Sequence, residues 1–272
     1  MSPLRRTQSL HRPRYAQGHD TAAPDVWLFD LDNTLHDSSR AIFQQINIAM
    51  QYAVAAMVGC DLDTADQLRI RYWKRYGATV IGMVRHHGAD PHEFLRLSHD
   101  FDVRPLVHSE AGLAGKLACV PGRKILLTNA PAVYARQVLD VLGLLPQFEA
   151  LWSIDHMQLQ SRIRPKPSVA LMKQILVRLA LPAHRVALVE DTLHNLKSAH
   201  QLGMRTVHVF HPGTPFSSLH RGRPAYVDIR INSLGQLLQV PYAWRIPGSR
   251  DRAGSGSYSI PWTRHQGTAD GL

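Results

Sequence analysis

The feature that most constrains the fold is a series of short apolar runs at 26–29, 124–129, 150–155, 186–191, 206–210 and, more weakly, 226–231. Runs of four to six such residues are typical of strands buried on both faces. Their alternation with helical stretches of ten or more residues argues for βαβ units in a parallel sheet. One interval breaks the rhythm. Between about 38 and 112, apolar residues recur at helical spacing, as in Ile42, Ile46, Ala49, Met50, Ala53 and Met57, then Leu68, Tyr72 and Tyr76, with no convincing strand. Gly59, Gly77, Gly88 and Pro91 divide it into several helices. The expected architecture is α/β: a Rossmann-like parallel sheet from 25–37 and 113–240, an all-helical domain inserted at 38–112, and tails at 1–24 and 241–272.

Composition narrows the function classes. At 272 residues and 44% hydrophobic, the chain can bury one substantial core plus a smaller helical module. No run approaches the ~18 consecutive apolar residues of a membrane span, and residues 1–24 hold no apolar block of the kind a secretory signal requires. The expectation is a cytoplasmic protein with no membrane partner. Cys60 and Cys119 are too few for a disulfide framework and lack metal-ligand spacing, and the sixteen His show none either. The net charge of +10 invites a nucleic-acid reading, but half of it lies in the tails, +3 in 1–24 and +2 in 241–272. Those Arg-, Ser-, Pro- and Gly-rich segments read as mobile. The basic-aromatic string at 69–75 reads as an amphipathic helix face, not a nucleic-acid surface.

Polar groups suited to one task follow the apolar runs. Asp30 and Asp32 follow the first, Thr128 and Asn129 the second, Lys166 lies in a loop between Pro165 and Pro167, and Glu190 and Asp191 end the fourth. In a parallel sheet these project from the same edge, where ligands bind. Four carboxylates gathered there repel one another by about 4 kcal/mol per pair at ~4 Å and an effective dielectric of ~20, so a cation is required. Hard oxygen ligands suit Mg²⁺, which takes one or two carboxylates plus phosphate oxygens. Lys166 adds a fixed positive charge, and Thr128 and Asn129 can donate hydrogen bonds to an anion. Such a set describes phosphoryl transfer. Asp30 can attack phosphorus to form an aspartyl-phosphate, and Asp32 can protonate the leaving oxygen and then activate water. Thr34 is expected to hold the loop through side-chain to backbone bonds.

The strings FDLDNTL at 29–35, LLTNA at 126–130, RPKPS at 164–168 and VEDTLHN at 189–195 resemble, in order, the four motifs of the haloacid dehalogenase (HAD) superfamily. The similarity spans 25–211. It implies Asp30 as nucleophile, Asp32 as acid/base, Thr128 and Lys166 as phosphate ligands, and magnesium held by Asp30, Asp191 and the backbone carbonyl of Asp32. Glu190 stands where an Asp is often found, a further acidic group beside the metal, and Asn195 is placed to support the site. The helical insertion occupies the position of that superfamily's cap. RYWKRYGAT at 71–79 with Gly82, HDFDV at 99–103 and PGRKILLTNAP at 121–131 resemble the pyrimidine 5′-nucleotidase group, with His36 in place of its common Tyr. The resemblance implies hydrolysis of pyrimidine nucleoside 5′-monophosphates, with Tyr76, Thr79, Arg85 and His86 as candidates for substrate recognition. Alternatives are a generalist small-metabolite phosphatase, a phosphomutase, or an idle fold whose basic tails hold polyanions. Asp32 argues against carbon–halogen cleavage, for which the resemblance implies no second Asp.

Overall fold

The six apolar runs form one parallel sheet in the computed structural model, which describes residues 23–160, 162–211, 222–239 and 263–264. Its strands are β1 (Val26–Phe29), β2 (Arg123–Leu127), β3 (Ala150–Trp152), β4 (Val186–Glu190), β5 (Arg205–Val209) and β6 (Ile229–Ile231). Their order across the sheet is β3-β2-β1-β4-β5-β6, all pairs parallel, with Phe29 beside both Leu126 and Val189. This is the doubly wound order, and β1 and β4 flank the point at which the chain reverses direction across the sheet. A crevice opens there at the carboxyl ends of the strands.

Helices α1 (Ile42–Val58), α2 (Leu62–Tyr76), α3 (Thr79–His87) and α4 (Pro91–Ser98) lie between β1 and β2. Helix α5 (Leu113–Ala118) precedes β2, α6 (Ala132–Val141) follows it, α7 (Val169–Leu179) follows β3, and α8 (Leu193–His200) follows β4. Alternation along β1 feeds two cores. Trp27 and Phe29 pack with Tyr134, Val138 and Leu139 of α6 on one face. Val26 and Leu28 pack with Met172 and Ile175 of α7 and Leu196 of α8 on the other. Both faces are therefore covered, which is why the strands read as unbroken apolar runs.

The four inserted helices share a third cluster, including Val54, Ala65, Tyr72, Val80, Met83 and Phe94, which Ile154 beyond β3 also joins. Their ends are written locally. Gly59, Gly77 and Gly88 cap α1, α2 and α3 in the left-handed region, at φ 75°, 81° and 62°. Asp61 accepts from Thr64 N and Asp90 from Glu93 N, each at the third position of its helix, with Pro91 opening α4. Gly82 serves a different purpose: a Cβ there would fall 2.1 Å from the Tyr72 ring, so only glycine lets α3 approach α2 this closely.

Two details differ from expectation. Ile42, Val103 and Val107 pack into the sheet-side core, so the packing boundary lies inside the interval 38–112. The interval also holds a two-residue strand, His108–Ser109, paired antiparallel with Thr263–Arg264. Otherwise the expected tails lie outside the described residues, apart from Ala23 and Pro24. Among the described residues no helix is long and apolar enough to cross a membrane.

Candidate active site

Lys166 is the centre of the crevice. Its side chain is buried, and Nζ donates to Asp30 Oδ1 at 2.6 Å and to Glu190 Oε2 at 2.7 Å, joining the β1 and β4 ends. The surrounding sequence fixes it in place. Ser168 caps α7 by accepting from Leu171 N, which anchors the chain two residues later. Asn129, just past β2, forms a reciprocal pair with the Lys166 backbone: Nδ2 donates to its carbonyl at 3.0 Å and Oδ1 accepts from its amide at 2.9 Å. The Asn129 side chain thus positions Lys166, where the sequence reading gave it to an anion. Thr128 is buried, and Oγ1 accepts from Ala130 N at 3.0 Å, leaving its O–H to donate elsewhere.

Asp30, Glu190 and Asp191 place one carboxylate oxygen each within 4.8 Å of one another. Three acidic groups against one ammonium leave the buried cluster short of positive charge. Burial, and then repulsion from Glu190, push the Asp30 carboxyl up to about 8, against the pull of Lys166. The same two causes raise Asp191 well above the usual carboxylate range. Burial works against the Lys166 ammonium, but Asp30 and Glu190 outweigh it and hold the proton on. A divalent cation fits this donor set, because it supplies the missing charge to hard oxygen ligands.

Asp32 is in a different environment. Oδ1 accepts from Tyr134 Oη at 2.7 Å, Ser38 Oγ at 3.0 Å and His36 Nε2 at 3.0 Å. Burial alone would raise its pKa, yet His36, with Tyr134 and Ser38, brings it below the ordinary value. Three donors on one oxygen leave Oδ2 for other work. The loop is held by Asn33, in the left-handed region at φ 58°, whose Oδ1 accepts from Ser38 N, Ser39 N and Ser39 Oγ. Thr34 was expected in that role. Its hydroxyl instead faces Asp30 Oδ2 at 3.5 Å, too long for a strong bond.

Tyr134, Ser38 and His208 were not found from the sequence. Tyr134 comes from α6, 102 positions beyond Asp32, and reads in sequence as an ordinary core tyrosine. His208 of β5 donates from Nε2 to the Asp191 carbonyl at 3.0 Å and so steadies the end of β4. An imidazole on a buried strand was the only available signal.

Between this cluster and the inserted helices lies a cavity of about 490 Å³. Asp30, Asp32, Thr128, Asn129, Lys166, Glu190, Asp191 and Asn195 all border it. Of the four substrate-recognition candidates, only Thr79 does, and its hydroxyl donates to the Arg69 carbonyl at 3.2 Å. Tyr76 instead meets His86 Nε2 at 2.7 Å, and the Arg85 guanidinium lies 5.1 Å from the Tyr76 ring centroid. These three satisfy one another away from the cavity, whose helical wall is formed by other residues, among them Phe43, Asn47, Arg69, Trp73 and His99.

Fold and site together define a doubly wound α/β protein with a carboxylate–ammonium cluster at the switch point of its sheet. Residues 24–203 match the sequence model of the haloacid dehalogenase-like hydrolases, and the chain belongs to that family. Solved structures with the same fold include CbbY from Rhodobacter sphaeroides in complex with phosphate, 19% identical over 79% of this chain and 96% of that one, TM-score 0.56. A HAD phosphatase from Thermococcus onnurineus is 20% identical over 82% of this chain and all of its own, TM-score 0.55. The L-2-haloacid dehalogenase from Xanthobacter autotrophicus, with chloropropionic acid covalently bound, is 16% identical over 80% and 98%, TM-score 0.51. Because the fold accommodates both a phosphatase and a dehalogenase, the reaction must be argued from side chains.

Proposed function

We propose that this chain is a Mg²⁺-dependent phosphomonoester hydrolase that works through an aspartyl-phosphate on Asp30, with pyrimidine nucleoside 5′-monophosphates as substrates. The observation that carries the reading is the Lys166 ammonium, buried between Asp30 and Glu190 with Asp191 beside them. Asp30, Asp191 and the Asp32 carbonyl would hold the cation, with Glu190 adjacent. When bound, it neutralises phosphoryl charge and the excess negative charge of the cluster.

The residues divide the work. With Oδ1 fixed by Lys166, Asp30 attacks phosphorus through Oδ2 while the bond to the leaving oxygen breaks. Lys166 and the Thr128 O–H stabilise the phosphoryl oxygens. Asp32 gives a proton from Oδ2 to the leaving oxygen, then takes one from the water that attacks phosphorus, releasing phosphate and free Asp30. The donors on Oδ1 favour ionised Asp32, and an anionic phosphoryl group beside it pushes the opposite way. The second Asp separates this reading from carbon–halogen cleavage, where no leaving oxygen needs a proton.

Helices α1–α4 act as a lid over the site, and a cavity of about 490 Å³ suits a nucleoside monophosphate. The nucleotide assignment also draws support from the sequence resemblance at 71–79, 99–103 and 121–131. Purified protein stripped with EDTA should be inactive on UMP and CMP and recover with Mg²⁺, with slower hydrolysis of AMP and simple sugar phosphates. Full turnover after rigorous metal removal would contradict the mechanism, and equal rates across the panel would contradict the substrate.

A further inference from the structure

The two walls of the cavity differ in chemistry. Opposite the carboxylate cluster, Phe43 and Met50 of α1, Trp73 of α2 and Phe94 of α4 give a mainly apolar, partly aromatic roof. Its one cation among the described residues is already engaged. Arg69 donates from Nε and Nη2 to Asp66 Oδ1 at 3.0 and 2.7 Å, and from Nη1 to Asn47 Oδ1 at 2.7 Å. The guanidinium is thus a paired strut, with its charge balanced by Asp66. Asn47, its carbonyl taken by Arg69, keeps its amide N–H groups for a ligand. His99 supplies a second neutral polar group. Its Nδ1 lies 2.9 Å from the Ser98 hydroxyl and 3.1 Å from the Leu95 carbonyl, which leaves Nε2 as the ring nitrogen open to a ligand. Burial keeps this ring neutral, its pKa lowered to about 4. Among the described residues, the roof therefore offers an aromatic wall and neutral hydrogen-bonding groups, with its guanidinium already paired.

We infer that this roof is a subsite for an uncharged leaving group carrying a planar ring, and that it disfavours phosphomonoesters with a second phosphate or carboxylate. The inference rests on the phosphatase reading and extends it, since it concerns charge and planarity, not which base is present. Trp73, half exposed at the cavity, is placed to stack on the ring, while Asn47 and His99 hydrogen-bond its polar edge or a sugar hydroxyl. A second anion would meet apolar carbon, an already neutralised guanidinium and only neutral donors, and would lose hydration without a charged partner among the described residues.

The test uses full-length protein in two arms. Calorimetric titration of uridine and of glucose probes the roof without any turnover. Uridine is expected to bind with a negative heat-capacity change and glucose not to bind. Trp73→Ala should weaken uridine by ~10- to 100-fold while Trp73→Phe largely preserves it, in line with stacking on an aromatic side chain. In the second arm, kcat/KM is compared for UMP, glycerol phosphate and fructose 1,6-bisphosphate. The ratio of UMP to bisphosphate should exceed ~100, and Trp73→Ala should lower the ratio of UMP to glycerol phosphate by ~10-fold or more. Uridine binding that ignores Trp73→Ala, or a bisphosphate hydrolysed as well as UMP, overturns the subsite. Uridine binding that depends on Trp73, without turnover of any phosphate ester, supports the subsite and removes the phosphatase reading beneath it.

Discussion

On the floor of the cavity each main group is held by another: Lys166 by Asp30 and Glu190, its backbone by Asn129, and Asp32 by Tyr134, Ser38 and His36. The roof has such bonds too, as between Arg69 and Asp66 and Asn47, but most of its lining is apolar carbon. Its helices stand largely on their own apolar cluster and face the floor across open space. Hydrogen-bond networks fix atoms in one geometry, whereas apolar packing tolerates exchange of side chains of similar volume. The difference suits a division of labour: phosphoryl chemistry needs reacting atoms placed closely, while substrate choice can drift with the roof.

That division can be broken in several ways. The largest effect belongs to Asp30→Asn, which should lower kcat by ~10⁴-fold or more for every substrate alike, as expected for a lost nucleophile. A loss confined to one substrate would shift the chemistry away from the floor. Asp32→Asn should cost about 10²- to 10⁴-fold in kcat with little change in KM, the signature of a lost general acid and base. Steady-state kinetics on UMP measures both.

Smaller effects sharpen the roof. Gly82→Ala drives a methyl group into the Tyr72 ring and should destabilise the helical module by about 1–3 kcal/mol in a denaturant titration. An unchanged midpoint would show that α2 and α3 do not pack as described. The smallest effect is a pH dependence. His99 has a folded pKa of about 4, below the ~6.5 of an unfolded chain, so the unfolded state binds more protons between those values. Its contribution is complete above pH ~6.5 and fades as pH falls toward 4. Relative to His99→Gln, wild-type stability should therefore decline between pH 7 and 5, and parallel stabilities would mean that the imidazole is not buried neutral.

The same contrast explains what could be read in the sequence. Floor residues were legible because each lies at or just beyond a short apolar run, or in a proline-framed loop, and a parallel sheet sends all such positions to one edge. The helix ends at Gly59, Gly77 and Gly88 were legible because a left-handed cap is a local requirement. Roof residues were harder. Periodicity shows that α2 has faces but not which one turns toward the sheet. Arg69 and Trp73 line the cavity, while Tyr72 enters the helical core and Tyr76 pairs with His86. Tyr134 and Ser38 escaped for a related reason: their roles exist only once Asp32 is beside them, and no local pattern marks a tyrosine or serine for that contact.

The central claim is that the reaction passes through a covalent bond to Asp30. Acid-quenched protein, sampled during turnover of UMP with Mg²⁺ and analysed by peptide mass spectrometry, tests it directly. The account predicts one phosphoryl group on the peptide containing Asp30, absent from Asp30→Asn and from metal-free protein. Steady hydrolysis with that peptide unmodified, under a quench that preserves acyl phosphates and with Asp32→Asn used to slow its breakdown, would contradict it.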